Sequence, residues 1–204
     1  MSPAPSGALR RRLVLASASP ARLRLLHEAG FAPEVLVSGV AEDGLDHEPP
    51  RRQVLALARR KAEAVVARAG DALVVGCDSM LELDGRVLGK PADEHEALAR
   101  WRSMRGREGT LLTGHWVIDA ATGRQAGDVA ATLVRFGRPT DAELAAYVAT
   151  GEPLQVAGAF TLDGRGAPFV DGVDGDPGNV IGLSLPLLRR LLAQLDVSIV
   201  ALWR

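Results

Sequence analysis

The sequence has little cysteine, few aromatic residues and almost no net charge. It contains a single cysteine, Cys77, so an internal disulfide is excluded and no site can be built from several thiolates. The 24 lysine and arginine residues are balanced by 25 acidic ones, which leaves no global field to attract nucleic acid or an acidic membrane. Any anion site is therefore local, and the cysteine usage fits a reducing cytoplasm, which we predict as the location.

Long apolar runs are also missing. The apolar run that follows the arginines at 10–12 ends at Ala16, which is too short for the core of a signal peptide or for a membrane span. Hydrophobic residues nevertheless make up 47% of the chain, enough for a sizeable core. With no internal repeat and no long linker, we predict a frayed terminus over residues 1–12 and one domain over residues 13–204.

Short apolar runs alternate with amphipathic segments along the chain. Runs at 13–16 and 72–77 are typical of buried strands, and 110–118 with 127–136 are typical of paired strands. We also expect strands at 157–162 and 197–202. Strands alternating with helices predict the α/β class, as a mixed twisted sheet flanked by helices.

The stretch 74–91 brings acidic and basic groups into one neighbourhood. An apolar run ends in Asp78 and Ser79, an Asp-Gly pair at 84–85 turns the chain back, and Lys90 follows. A strand covered by helices has no water to satisfy a charge, so we expect Asp78 at or past the carboxyl end of strand 72–77, where open α/β sheets bind ligands. The structural alternative is that Asp78 caps a turn.

Two further positions could serve an anionic ligand. Ser19 and Pro20 predict a helix start with Arg22 in the first turn, which places backbone N–H groups and a cation together, although an ordinary helix start explains the same pattern. Lys61 falls on the apolar stripe of the helix that follows Pro50, so it must either snorkel to water or meet a negative partner.

Two other residues were considered as metal ligands. Glu42 lies in an acidic connection for which a solvated loop is the default. His115 has no second histidine or cysteine nearby in the sequence, which favours a packed or exposed side chain over a ligand.

An ordered set of short segments resembles the Maf family of nucleoside triphosphate pyrophosphatases. These segments occur in family order between about residue 13 and residue 192. They lie at 15–22, 58–62, 76–79, 89–91, 103–107 with 113–114, 147–153, 157–159, and 175–176 with 180–183.

The resemblance implies a role for each matching position. Asp78 corresponds to the proton acceptor, Lys61 and Lys90 to lysines of a central substrate cleft, and Ser19 and Arg22 to a phosphate-binding turn. It also implies a fold similar to that of inosine triphosphatases.

Three more assignments follow from the resemblance. Glu42 and Asp78 would hold a required divalent cation, Mg²⁺ or Mn²⁺, so Asp78 could act as general base or as metal ligand. Ser79 and Asp163 match substrate positions where the subfamily acting on thymidine and uridine triphosphates often has threonine and glutamine. These departures leave the base preference open.

The reaction implied by the resemblance is the hydrolysis of an acid anhydride. A nucleoside triphosphate, in the ribose or deoxyribose series and including modified ones, would be cleaved to the monophosphate and pyrophosphate. The resemblance also implies a homodimer. The alternatives are a nucleotide-binding regulator of cell division without turnover, and a pyrophosphatase acting on deaminated purine nucleotides.

Overall fold

A seven-stranded mixed sheet lies at the centre of the molecule. The computed structural model describes residues 11–41, 44–45 and 47–204, and the following elements are those of this described part. The strands are β1 Leu13–Leu15, β2 Glu34–Val35, β3 Leu73–Leu83, β4 Arg86–Leu88, β5 Glu108–Asp119, β6 Gln125–Phe136 and β7 Val170–Asp174.

Six α-helices flank the sheet in the described part of the chain. They are α1 Pro20–Glu28, α2 Pro50–Val66, α3 Glu94–Met104, α4 Asp141–Val148, α5 Pro177–Ile181 and α6 Leu185–Gln194. The predicted helix start at Ser19 is confirmed, and Ser19, Asp93, Thr140 and Ser184 each accept a backbone N–H of the first helical turn. None of these helices is long and apolar enough to cross a membrane.

The sheet is parallel at one side and antiparallel elsewhere. The strand order is β2-β1-β3-β5-β6-β7, with β4 paired to the end of β3. β1 runs parallel to β2 and β3, whereas β3, β5, β6 and β7 pair antiparallel in sequence. The predicted α/β class and mixed sheet are confirmed.

Two apolar cores lie side by side on one face of the sheet. The first, which we call the parallel core, packs α1 and α6 against Leu15, Val75 and Cys77. The second, the hairpin core, packs α3 and α4 against Leu81 and includes Trp101. β3 contributes to both cores, so its middle residues lie between them. The opposite face of the sheet is covered by α2.

Two predicted strands are wrong. Residues 157–159 form a 3-10 turn with Gly158 at φ 71°, where an added Cβ would lie 2.7 Å from the Leu81 side chain. A close approach and a left-handed residue at this point are incompatible with a strand. Residues 199–202 also form a 3-10 helix. Val197 and Leu202 are buried while Val200 is exposed, which is not the alternation that a strand requires.

The amino-terminal prediction falls mostly outside the described residues, which begin at Arg11. Arg11 and Arg12 form ion pairs with the body of the protein. An Nη2 atom of Arg11 lies 2.5 Å from Asp119, and an Nη2 atom of Arg12 lies 2.7 Å from Glu34.

Candidate active site

One edge of β3 is left without a strand neighbour over a short stretch. β5 occupies one edge of β3, where it pairs from Leu73 to Glu82. β1 and β4 therefore both pair with the opposite edge. The register with β1 ends at Val75 and that with β4 begins at Leu81. Residues 76–80 therefore form a gap in the edge, within the part of the chain that the structure describes.

Asp78 lies in the middle of this gap. The prediction that it sits at or past the end of its strand is wrong, because β3 continues to Leu83 and Asp78 pairs with Gly114 of β5. The charge is met by a side chain rather than by solvent, so a carboxylate is tolerated inside the strand. The position still lies beyond the last parallel pair with β1, at the point where α/β sheets bind ligands.

Lys61 and Asp78 form a buried ion pair. The Nζ atom of Lys61 lies 2.6 Å from Oδ1 of Asp78, and the two side chains are 10% and 7% exposed. Of the two alternatives predicted for Lys61, snorkelling to water and contact with a negative partner, the structure shows the second. A buried pair of this kind is costly to desolvate and is weak evidence of a purely structural role.

Two glycines bring α2 close enough for this contact. An added Cβ on Gly76 would lie 2.1 Å from the carbonyl oxygen of Ala58, and one on Gly114 would lie 2.1 Å from that of Val54. The helix backbone therefore rests on the backbone of β3 and β5. Because Gly114 is the cross-strand partner of Asp78, the close approach occurs at the site itself.

The guanidinium of Arg22 occupies the gap from the side of α1. Its Nε donates to the carbonyl oxygen of Gly182 at 2.8 Å, and Nη1 donates to Oγ of Ser17 and to the carbonyl oxygen of Cys77, both at 3.0 Å. Nη2 donates to Oγ of Ser79 at 3.0 Å. At the carbonyl oxygen of Cys77, Arg22 thus supplies a hydrogen bond that a neighbouring strand would otherwise give to β3.

Ser19 and Lys90 belong to two segments next to the gap, the start of α1 and the chain after β4. Ser19 accepts the backbone N–H of Arg22 at 3.4 Å as the cap of α1. Lys90 is exposed and follows β4 directly. Since Leu88 pairs with Leu81, the chain after β4 runs toward the gap.

Asp163 lies on a loop that contacts α1. Its carboxylate forms an ion pair with Arg24. Glu152 stabilises this loop by accepting hydrogen bonds from the hydroxyl of Thr161 at 2.5 Å and from the backbone N–H of Gly166 at 3.2 Å. Burial raises the pKa of Glu152, but these hydrogen bonds and that of Arg165 leave it below its usual value.

The predicted metal ligands are only partly described. Glu42 lies outside the described residues. Within residues 11–41, 44–45 and 47–204, no group of three or more His, Cys, Asp or Glu side chains comes together to hold a metal ion. Asp78 is the predicted ligand that the structure places in the gap.

His115 and Cys77 are packing residues. His115 is fully buried, with Nδ1 3.0 Å from the carbonyl oxygen of Thr113 and Nε2 accepting the backbone N–H of Ser184 at 2.8 Å. Burial lowers the pKa of His115 to about 4. Burial likewise raises the pKa of the Cys77 thiol to about 11.

Sequence reasoning missed Ser17, Thr113 and Asn179. All three are buried, and each takes part in hydrogen bonds that lead to Arg22 or Ser79. A threonine inside the apolar run 110–118 was the available signal for Thr113. Asn179 gave no comparable signal, because it falls in a polar, glycine-rich segment.

These features define an α/β protein whose site suits an anionic ligand. Residues 12–195 match the family described as Maf-like protein, and the chain belongs to this family.

Three relatives are similar over nearly their whole length, and each carries the name nucleoside triphosphate pyrophosphatase. That of Streptomyces coelicolor is 65% identical over 205 residues, which cover 100% of this chain and 98% of that protein. That of Streptomyces avermitilis is 63% identical over 196 residues, covering 95% of each chain. That of Salinispora tropica is 56% identical over 203 residues, covering 97% of this chain and 90% of that protein.

Proposed function

We propose that this protein hydrolyses nucleoside triphosphates to the monophosphate and pyrophosphate. The observation that carries the proposal is the buried pair of Lys61 and Asp78 in the gap of β3, with the guanidinium of Arg22 in the same gap. The name shared by the close relatives supports the same reaction.

The triphosphate would be bound by cations and by the start of α1. Ser17 and Ser19 lie at the N-terminus of this helix, where backbone N–H groups and the helix dipole favour anions. Lys90, on the chain that runs from β4 toward the gap, would add a second cation. Arg22 already donates four hydrogen bonds to protein oxygens. It would therefore attract the phosphates from a fixed position, without a change in its own conformation.

Asp78 would receive the proton of the attacking water. The water oxygen forms a bond to the α-phosphorus, the bond from that phosphorus to the bridging oxygen breaks, and pyrophosphate leaves with the electron pair. Lys61 orients the carboxylate through its 2.6 Å contact. Arg22 and Lys90 would balance the negative charge that moves to the departing pyrophosphate.

A divalent cation, Mg²⁺ or Mn²⁺, is part of the proposal. The donor set fits, since Mg²⁺ is often bound by one or two carboxylates together with substrate phosphates, and Asp78 is a carboxylate within the gap. Glu42 remains the second proposed ligand. When bound, the cation would polarise the α-phosphoryl group. Asp78 as base and Asp78 as ligand remain the two forms of this proposal.

The test is pyrophosphate release from a panel of standard and modified nucleoside triphosphates, with Mg²⁺, Mn²⁺ or chelator. We compare the native chain with Asp78→Asn and with the matched control Asp71→Asn, whose side chain is 79% exposed. We expect equal release of monophosphate and pyrophosphate by the native chain and the control, and loss of about 10²–10⁴-fold in Asp78→Asn.

Two other results would change the proposal. Full activity in Asp78→Asn would remove Asp78 from the reaction. Calorimetric binding of nucleotides without any hydrolysis would favour the regulatory alternative. The panel includes deaminated purine nucleotides and also measures the base preference, which the departures at Ser79 and Asp163 leave open.

We further propose a cytoplasmic homodimer. The location follows from the substrate, because nucleoside triphosphate pools are intracellular, and the dimer follows from the family resemblance. Light scattering of the purified chain measures the oligomeric state, and a monomer at micromolar concentration would contradict the dimer.

A further inference from the structure

A chain of hydrogen bonds crosses the sheet on the face opposite Lys61 and Asp78. Nη2 of Arg22 lies 3.0 Å from Oγ of Ser79, which lies 2.9 Å from Oγ1 of Thr113. Oγ1 of Thr113 lies 3.1 Å from the carbonyl oxygen of Asn179. The chain thus links α1, β3, β5 and α5.

The direction of every bond in this chain is determined. The carbonyl oxygen of Asn179 can only accept, so the hydroxyl of Thr113 donates its one proton to it. Ser79 must then donate to Thr113, and Ser79 in turn accepts from Arg22. A chain with all protons committed has one arrangement, which fixes the rotamers of both hydroxyl side chains.

The far end of the chain is anchored in the core. Asn179 is fully buried, and its Nδ2 donates to the carbonyl oxygen of Leu111 and to Oγ1 of Thr132, both at 3.1 Å. The other end returns to the same segment, because Nε of Arg22 donates to the carbonyl oxygen of Gly182 at 2.8 Å. Arg22 and α5 are therefore joined by two routes.

We propose that Thr113 and Asn179 are positioning residues of the active site that act through Ser79 and Arg22. The proposal rests on the proposed function. Arg22 binds the carbonyl oxygen of Cys77 and the hydroxyl of Ser79, which are the two neighbours of Asp78 in β3. Holding both neighbours fixes the backbone that carries Asp78 along the edge of β3 where no strand of the described chain pairs with it.

The first test uses substitutions that change neither charge nor any group that would touch substrate. Thr113→Val removes the hydroxyl at nearly constant volume, and Thr113→Ser retains it. Thr110→Val is the matched control, because Thr110 lies on the same strand and its hydroxyl makes no hydrogen bond within the described residues. Asn179→Ala removes the anchor at the far end of the chain.

We expect Thr113→Val and Asn179→Ala to lower kcat by about 10- to 100-fold, as a displacement near 1 Å does, with KM changed less than about twofold. Thr113→Ser and Thr110→Val should keep the native kcat. A native kcat in Thr113→Val, or an equal loss in Thr113→Ser and Thr110→Val, overturns the proposal.

The second test does not depend on catalysis. Cys77 is the single cysteine of the sequence, is fully buried, and has its carbonyl oxygen bound by Arg22. The rate at which a disulfide reagent labels Cys77 under native conditions therefore reports how often this part of β3 opens. Urea unfolding of each variant separates such local opening from a general loss of stability.

We expect at least about tenfold faster labelling of Cys77 in Thr113→Val and Asn179→Ala than in Thr113→Ser and Thr110→Val, beyond what their global stability explains. If the native chain hydrolyses no nucleotide, the proposed function fails, and labelling alone decides whether Thr113 and Asn179 hold Arg22 and Ser79. Labelling of Thr113→Val at the native rate overturns the proposal.

Discussion

Two consecutive residues of β3 face opposite sides of the sheet and are held in different ways. Asp78 faces α2 and is held by a charge, the ammonium of Lys61 at 2.6 Å. Ser79 faces the cores and is held by the hydroxyl of Thr113 on β5 and by the guanidinium of Arg22. We call these the charged face and the hydroxyl face of the site.

The difference between the faces separates chemistry from geometry. A buried charge acts strongly over several ångströms in every direction. Hydroxyl and amide hydrogen bonds are individually weaker but directional, and a fully satisfied buried network specifies one arrangement. In the proposed mechanism the charged face would therefore supply the reacting carboxylate, and the hydroxyl face would keep that carboxylate in place.

The largest expected effect compares the two neighbours directly. Asp78→Asn should lower kcat/KM by about 10²–10⁴-fold, because proton transfer is lost. Ser79→Ala should lower kcat/KM by about 10- to 100-fold, because it removes the hydrogen bonds to both Arg22 and Thr113, and a hydrogen bond to a charged group contributes about 1.5–3 kcal/mol. Pyrophosphate release measures both. An equal loss of kcat/KM in the two variants would show that the charged face and the hydroxyl face contribute equally to catalysis.

The second effect concerns stability on the charged face. Lys61→Met and Asp78→Asn each remove one member of a buried pair, which typically lowers the free energy of unfolding by about 3–5 kcal/mol. The double variant should lose less stability than the sum of the two single losses, because both charges are then removed together. Urea unfolding of all four proteins measures the coupling, and strict additivity would contradict it.

The third effect concerns the contact between α2 and the sheet. In Gly114→Ala the new Cβ would lie 2.1 Å from the carbonyl oxygen of Val54, so α2 must move away and Lys61 with it. Overpacking of this kind costs about 1–3 kcal/mol of stability. Gly89→Ala is the control, since its Cβ would meet no described atom within 4 Å. Equal melting of both variants would show that α2 adapts freely.

The last effect is a pH dependence beside the hydroxyl face. Burial lowers the pKa of His115 from 6.5 to about 4, so between these values the unfolded chain binds more protons than the folded one. The contribution of neutral His115 to the free energy of unfolding is therefore fully present above about pH 6.5 and is lost as the pH drops toward 4. His115→Gln should lose this part of the slope in urea unfolding.

The control for the histidine is His95→Gln, because His95 is exposed on α3. It should keep the native slope. A native slope in His115→Gln would mean that other groups account for the acid sensitivity.

Local signals were sufficient for much of this structure. Helix starts at Ser19, Asp93, Thr140 and Ser184 were predictable because capping depends on residues three apart. The unusual position of Lys61 was also visible, since a helical stripe can be read from one segment. These features need no knowledge of distant partners.

Features that depend on distant pairing were not predictable. The gap in β3 exists because β1 ends at Leu15 and β4 pairs only from Leu81, and neither limit is written in the segment around Asp78. The bond from Thr113 to Asn179 joins residues 66 apart. Gly158 was assigned to a strand because its close contact with Leu81 is invisible in the sequence.

The position of the gap between the parallel core and the hairpin core has a consequence for thermal denaturation. Val75 and Cys77 belong to the first core and Leu81 to the second, so a ligand in the gap is attached to a strand that both cores share. Its binding energy is lost when either core melts, and by mass action it stabilises both. In calorimetry, a saturating nucleotide should move the whole endotherm to higher temperature as one transition.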